Sequence, residues 1–322
     1  MPTPYYEADG VTLHHGNSLD ILPTLSQASI DAIVVDPPYE IGIASRDWDR
    51  TGIAFNVDLW SECLRVLKPG GHLLSFGHVR THHRLAVAIE DAGFHIRDCI
   101  DWIYGQGYPG SKTQLKPARE PITVARAPFT GTERALRETT GLGGLNVEAC
   151  RTDTGRWPAN VLLGHSPLCT DSACITECPI SELDRQSGIR TSGTGAVRTK
   201  PGHFMGNGGL GRAGDVQVTY GDTGGASRYF PIFRFESRIT TRNDGERHIT
   251  PKPLSLMRWL VRLVCPPGGT VLDWAAGSGT TLLAARDEGM NAVGIEMDEA
   301  HARICEHRLG EPFSPSLFSD IA

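Results

Sequence analysis

Apolar and polar positions alternate along the first third of the chain in a strand–helix rhythm. The run GVTLHHG (10–16) predicts a strand that ends at a Gly turn. IDAIVV (30–35) is continuously apolar, as expected of a strand covered on both faces. FNVDLWSECLRVLKPGG (55–71) places Leu59, Leu64 and Leu67 at helical spacing, with Pro-Gly-Gly as its predicted end. HLLSFG (72–77) predicts a strand, VRTHHRLAVAIEDAGF (79–94) a helix stopped by Gly93, and IRDCIDWIYG (96–105) another strand. The last quarter resumes the rhythm. KPLSLMRWLVRLVCPPGG (252–269) reads as a helix and TVLDWAAGSGTT (270–281) as a strand followed by a Gly-rich turn. LLAARDEGM (282–290), NAVGIEMD (291–298) and EAHARICEHRL (299–309) then read as helix, strand and helix. Such alternation predicts an α/β, Rossmann-like, doubly wound and mainly parallel sheet.

The middle breaks the pattern. Residues 106–247 are rich in Gly, Thr and Arg, and SGTGAVRTKPGHFMGNGGLGRAGD (192–215) has almost no apolar periodicity, which predicts a mobile loop. The expected organisation is one domain whose halves, 1–105 and 248–322, flank an irregular insert at 106–247. The chain shows no internal repeat.

Bulk properties narrow the class. At 39% hydrophobic and 21% charged residues the composition is that of an ordinary globular protein. No apolar run reaches the roughly 18 residues of a membrane span, and MPTPYYEADG carries no secretory pattern, so a cytoplasmic protein without membrane contact is expected. The net charge of −6 does not advertise nucleic acid, although Lys and Arg outnumber acids between Tyr104 and Thr250. With this compartment, the 8 cysteines are not a disulfide framework. Cys63, Cys99, Cys265 and Cys305 are scattered and read as small core residues.

Two constellations sit at predicted strand ends. In VLDWAAGSGTT (271–281), Asp273 closes a strand and Gly277 and Gly279 shape a turn that opens a helix. Such a turn lets the backbone approach a ligand, and a structural turn is the bland alternative. Glu296, closing the next strand, stands where an acid can take both ribose hydroxyls of a nucleoside. The turn lacks the Lys of a phosphate-binding loop. GNGGLG (206–211) also fits a glycine fingerprint, but no apolar strand precedes it. The second constellation is VVDPPYEIG (34–42). Asp36 ends a strand, and Pro37 and Pro38 fix φ and donate no hydrogen bond, so nearby carbonyls stay free as acceptors. Tyr39 adds a flat face on which a planar base can stack. The bland reading is a Pro-Pro turn capped by Asp.

DPPY (36–39), HITPKPLSLMRWLVRLV (248–264), VLDWAAGSGTT and GIEMD (294–298), in that order, resemble the amino-group DNA methyltransferases of the circularly permuted β class. The resemblance covers about 1–105 and 247–310. GLGGLNVEACRTDTGRWPANVLL (141–163) is more loosely similar to phage and prophage adenine methylases. The resemblance implies a class I S-adenosylmethionine-dependent fold with a target-recognition insert, acting on double-stranded DNA. Asp36 and the Pro37 carbonyl would accept from the exocyclic amine, and Tyr39 would stack on the flipped base. Asp273, Gly277 and Gly279 would line the methionine portion, Glu296 would hold the ribose, and Thr250 and Lys252 would face the methionine carboxylate. Asn17, in GNS (16–18), would meet the adenine. Asp at the first tetrad position leans toward adenine N6, with cytosine N4 as the alternative. RNA or protein amide methylation and a non-catalytic DNA-binding relic are further alternatives. The family pattern Asp-Pro-Phe is replaced by Asp273-Trp274-Ala275, which puts the tightness of cofactor packing in doubt. Oligomeric state stays open, a homodimer included, and a cognate restriction enzyme is one partner the resemblance admits.

One cluster stands apart. In GHSPLCTDSACITECPISELDRQSG (164–188), His165, Cys169, Cys174 and Cys178 form a one-His, three-Cys set suited to a structural zinc ion. Their spacing is irregular, and loop cysteines without metal are the alternative. The histidines of HVRTHH (78–83) read more simply as helix-start residues than as a metal site, and Trp48, just past the DPPY loop, reads equally as a residue that holds the extruded base or closes a lid and as a packing residue.

Overall fold

The computed structural model describes residues 3–42, 47–105, 107, 109, 111–170, 173–197, 214–217, 219–235 and 252–311. The strands are Tyr6–Ala8 (β1), Val11–His15 (β2), Ile30–Val35 (β3), Leu67–Phe76 (β4), His95–Tyr104 (β5), Arg119–Arg126 (β6), Val161–Gly164 (β7), Arg190–Thr191 (β8), Ala196–Val197 (β9), Val216–Gln217 (β10), Thr223–Gly224 (β11), Ile232–Phe233 (β12), Thr270–Asp273 (β13) and Asn291–Glu296 (β14). The helices are Ser18–Ile21 (α1), Val57–Val66 (α2), His82–Asp91 (α3), Glu133–Thr140 (α4), Pro179–Ser187 (α5), Leu254–Val264 (α6), Thr280–Asp287 (α7) and Glu299–Gly310 (α8).

Ten strands form one sheet in the order β1-β2-β14-β13-β3-β4-β6-β5-β7-β12. Strands β2, β14, β13, β3 and β4 are mutually parallel neighbours. Among the described strands of this sheet, β1 and β6 run against their neighbours. β3 is buried at every position, because both of its faces are covered. One cover is a cluster that includes Trp60, Cys63, Leu85 and Ile89 from α2 and α3. The other includes Leu256, Leu260, Leu282 and Cys305 from α6, α7 and α8. Local sequence sets the helix ends. The Asn56 side chain accepts from the Asp58 N–H to start α2, and Asp298 accepts from Ala300 and His301 to start α8.

The expected doubly wound, mainly parallel sheet is the observed one, with two corrections of detail. Lys68-Pro69-Gly70-Gly71 does not end the helix as a loop, because α2 stops at Val66 and these residues enter the irregular start of β4. The sheet also does not stop at residue 105. β6, β7 and β12 lie inside the segment expected to be an insert, and β6 sits between β4 and β5. Pro121 and the flanking charges of REPITVAR disguised β6 as an edge or a loop. It is buried from Pro121 onward, with β4 on one side and β5 on the other. The fingerprint at 206–211 and most of the expected loop at 192–215 lie outside the described residues.

What remains of the insert is held by polar contacts. Arg156 makes a two-pronged bond to Asp222, at 2.5 and 2.7 Å, and packs over the rings of Tyr220 and Tyr229. Asp184 of α5 accepts from both the N–H and the hydroxyl of Ser227. Among the described residues, no helix is long and apolar enough to cross a membrane.

Candidate active site

The carboxyl ends of five adjacent parallel strands build the site. Across the sheet they present Asn17 just after β2, Glu296 at the end of β14, Asp273 at the end of β13, Asp36 just after β3, and Phe76 at the end of β4. Neighbouring strands lie about 4.8 Å apart. Asn17 and Asp36 are three strands apart, so the row spans about 15 Å, room for an extended nucleoside bearing an amino-acid tail.

On the β13–β14 side, the Gly277 N–H donates to Glu296 Oε2 at 2.6 Å and the Asp298 N–H to Oε1 at 2.8 Å. Each oxygen keeps a further lone pair, so two ribose hydroxyls can still be met. Gly277 and Gly279 adopt φ of +53° and +78°, the left-handed region. A Cβ on Gly279 would fall 2.3 Å from Cys305 Sγ in α8. The close pass of α8 is thus a structural reason for this glycine. Asp273 is buried, and its Oδ1 accepts from the Ala275 N–H at 3.0 Å. Burial pushes its pKa up to about 7, and Asp36 and Glu296 push in the same direction. Burial likewise raises Glu296. Three acids thus converge on one edge, a setting that favours a cationic ligand. Asn17 caps α1 by accepting from the Leu19 N–H at 3.0 Å, and its position at the end of the row is unchanged by that role. Thr250 lies outside the described residues.

Lys252 departs from its expected place. It was expected on a cofactor carboxylate, but its ammonium donates to Asp36 Oδ2 at 2.5 Å and to the Tyr39 hydroxyl at 3.2 Å, with Glu120 Oε2 at 3.4 Å. It also lies over the rings of Phe76 and Tyr39. The reason is electrostatic: the carboxylates of Asp36 and Glu120 both face this ammonium. Burial alone would lower the Lys252 pKa, but Asp36 and Glu120 outweigh it, so the pKa is raised and the ammonium keeps its proton. The Tyr39 hydroxyl donates to Glu120 Oε2 at 2.9 Å, and burial, then the two acids, raise its pKa well above the usual value. The other Asp36 oxygen, Oδ1, is buried with no hydrogen-bond partner. That is an acceptor held in reserve.

Four residues beyond the sequence reading complete this cluster. Glu120 precedes the buried stretch of β6. Because β6 runs antiparallel to β4, its start meets the end of β4, where Gly77 N–H donates to Pro121 O. Recognising β6 as an antiparallel strand would have placed Glu120 here. Tyr104, at the end of β5, also bonds Glu120, and burial first, then Glu120, pushes its hydroxyl up to about 12. Asp49 is fully buried and accepts from the N–H groups of Glu40 and Ile41 at 2.9 and 3.2 Å, which fixes the chain just after Tyr39. Thr81 adds a 2.8 Å bond to the Tyr39 carbonyl. Trp48 beside it is half-buried. Trp274 points away from the row: it is 2% exposed and packs edge-to-face on Trp60 at 5.4 Å. Among the described residues, the histidines at 78, 82 and 83 join no metal-ligating group; the one such group is His165, Cys169, Cys174 and Cys178.

A parallel sheet with a Gly-rich turn on one strand end, an acid on the next, and helices on both faces defines the class I S-adenosylmethionine-dependent methyltransferase fold. The DNA methylase family model matches residues 30–307, and the chain belongs to that family. It is 26% identical over 362 residues to the type II methyltransferase M.HindIII of Haemophilus influenzae, covering 92% of this chain and 94% of that protein. It is 24% identical over 333 residues to the type II methyltransferase M.ScaI of Streptomyces caespitosus, covering 98% and 86%. The solved PvuII DNA methyltransferase, described as cytosine-N4-specific, shares the fold with a TM-score of 0.53 at 16% identity, covering 97% of this chain and 91% of that one.

Proposed function

We propose that this protein transfers a methyl group from S-adenosylmethionine to the exocyclic N6 of an adenine flipped out of a specific duplex DNA site. The observation that carries the reading is Asp36 at the end of β3. One of its oxygens is tied to Lys252 and the other is buried and unpartnered, in line with the acids of the cofactor edge. The free Oδ1 and the Pro37 carbonyl would accept the two amine hydrogens. That withdraws the nitrogen lone pair from the ring and aims it at the methyl carbon. As the C–N bond forms, the C–S bond breaks and its electron pair stays on sulfur. One N–H proton then passes through the Asp36 carboxylate to water. Positive charge moves from sulfur to nitrogen during the step. Asp36, Glu120 and Lys252 together carry one net negative charge at the receiving end, which favours that movement. Tyr39, held by Glu120 and Thr81, offers its ring to the extruded base. Stacking of about 1–3 kcal/mol offsets part of the flipping cost.

On the cofactor side, Asp273 and the Gly277–Gly279 turn would take the cationic methionine portion, Glu296 the ribose and Asn17 the adenine. Thr250 is assigned there from sequence alone. The segment 106–247, apart from β6, β7 and β12, supplies the duplex-reading surface. A cytoplasmic setting, with a cognate restriction enzyme as partner, fits a relative of type II methyltransferases. The test is base-resolution mapping of unmethylated genomic DNA after incubation with the protein and S-adenosylmethionine. N6-methyladenine at one motif supports the reading. N4-methylcytosine overturns the base assignment, and unmodified DNA despite bound cofactor overturns the substrate.

A further inference from the structure

We propose that His165, Cys169, Cys174 and Cys178 hold a structural zinc ion that clamps the recognition region onto the same edge of the sheet as the catalytic loop. Their four ligand atoms, the imidazole nitrogen and three sulfurs, lie within 4.8 Å of one another. His165 Nδ1 is 3.3 Å from both Cys178 Sγ and Cys174 Sγ. Tetrahedral zinc with bonds of about 2.0–2.3 Å requires ligand–ligand edges of about 3.5–3.8 Å, so small shifts close the set around an ion. Three thiolates and Zn²⁺ leave one negative charge. Arg234 answers it, with its guanidinium 3.8 Å from Cys174 Sγ and bonded to the Thr170 carbonyl at 2.7 Å. All four positions belong to protein, which marks a closed structural site with no place for substrate.

The backbone explains why metal is needed here. His165 directly follows β7, and Cys178 occupies the N-cap position of α5. Among the described residues, the buried members of the local apolar cluster are Leu163, Ile180 and two of the proposed ligands, Cys169 and Cys178, with five partly buried side chains packed against them. So small a core does not hold a loop by itself, and a metal supplies the missing cohesion. The clamp also reaches the rest of the insert. α5 carries Asp184, which pins Ser227 just before β12, and the Phe233 carbonyl accepts from the His165 N–H. β7 and β12 run parallel to β5, so their carboxyl ends share the edge that carries Asp36. The ion would sit four strands from Asp36, about 20 Å away. That distance suits holding duplex-reading elements beside the flipped base without entering the chemistry.

The full chain, purified in reducing buffer without chelator, is expected to contain one zinc per chain by elemental analysis. Replacement by Co²⁺ should give the intense visible bands of a tetrahedral, thiolate-bound ion. Cys174→Ser, at an exposed position, should lose the metal while Cys99→Ser, outside the cluster, keeps it. Metal removal should weaken duplex binding and leave S-adenosylmethionine binding in place. None of these metal readouts depends on methyl transfer, so they stand or fall apart from the proposed activity. A folded wild-type chain that holds no zinc and gives no tetrahedral Co²⁺ spectrum would overturn the proposal. So would a disulfide between two of the three cysteines, or zinc retained in Cys174→Ser.

Discussion

Lys252 Nζ lies 2.5 Å from Asp36 Oδ2 across 216 residues of sequence. The contact joins a residue two positions before α6 to the residue just after β3, so the carboxylate proposed to bind the amine is held by a side chain from the C-terminal part of the chain. Lys252 is buried, Asp36 a quarter exposed. Removing one partner of a buried pair costs up to about 3–5 kcal/mol, and solvent around Asp36 reduces that figure here. Lys252→Met leaves Asp36 and Glu120 as neighbouring carboxylates without a cation. The methyl-transfer rate and the thermal stability should both fall, and both are measurable on one preparation.

Glu120 anchors Tyr39 and Lys252 together. A hydrogen bond to a charged group contributes about 1.5–3 kcal/mol. Glu120→Gln should therefore cost roughly 10- to 100-fold in methyl transfer while cofactor binding is unchanged. A fluorescent base analogue at the target position should also report weaker stabilisation of the extruded base. Unaltered transfer and extrusion would show that Tyr39 needs no such anchor.

Asp273 titrates near 7 in the folded protein because it is buried, against about 4 in an unfolded chain. Between those values the folded state binds the extra proton. The linked stability is thus fully present below about pH 4 and lost as pH rises through 7. A cationic ligand reverses the preference by favouring the carboxylate. S-adenosylmethionine affinity should therefore rise from pH 6 to pH 8 with release of a proton, measurable by calorimetry in buffers of different ionisation enthalpy. Asp273→Asn should bind more weakly with a flat pH dependence.

Trp274 stands at the proline of the family pattern Asp-Pro-Phe and Ala275 at its phenylalanine; the Trp274 ring fills the core against Trp60. Trp274→Ala should cost about 3–5 kcal/mol of stability, read as a lowered denaturation midpoint. Its cofactor affinity, measured well below that midpoint, should change little.

The sheet was legible where the pattern was unambiguous. IDAIVV became β3 over the same residues, and NAVGIE became β14, because strands covered on both faces are mostly apolar, with Asp31 admitted where Lys68 and the Thr270 N–H meet it. The strand-end residues Asp36, Asp273 and Glu296 followed, since parallel topology brings carboxyl ends to one edge. What stayed hidden depends on long-range pairing. REPITVAR carries a proline and flanking charges, and nothing local says that it lies antiparallel between β4 and β5. Glu120 was missed with it, and so was the reason Lys252 turns toward Asp36 rather than toward a cofactor carboxylate. The zinc-like set was visible as composition, but its convergence needed β7 and α5 to be placed.

The central claim is that Asp36 presents an acceptor to an exocyclic amine, and single-turnover methyl transfer tests it most directly. Radiolabelled S-adenosylmethionine and a duplex carrying the mapped motif would be used with the wild-type chain and with Asp36→Ala. The account expects cofactor binding to persist in the variant, with the transfer rate lower by about 100- to 1,000-fold. A variant that transfers methyl groups at the wild-type rate would contradict it.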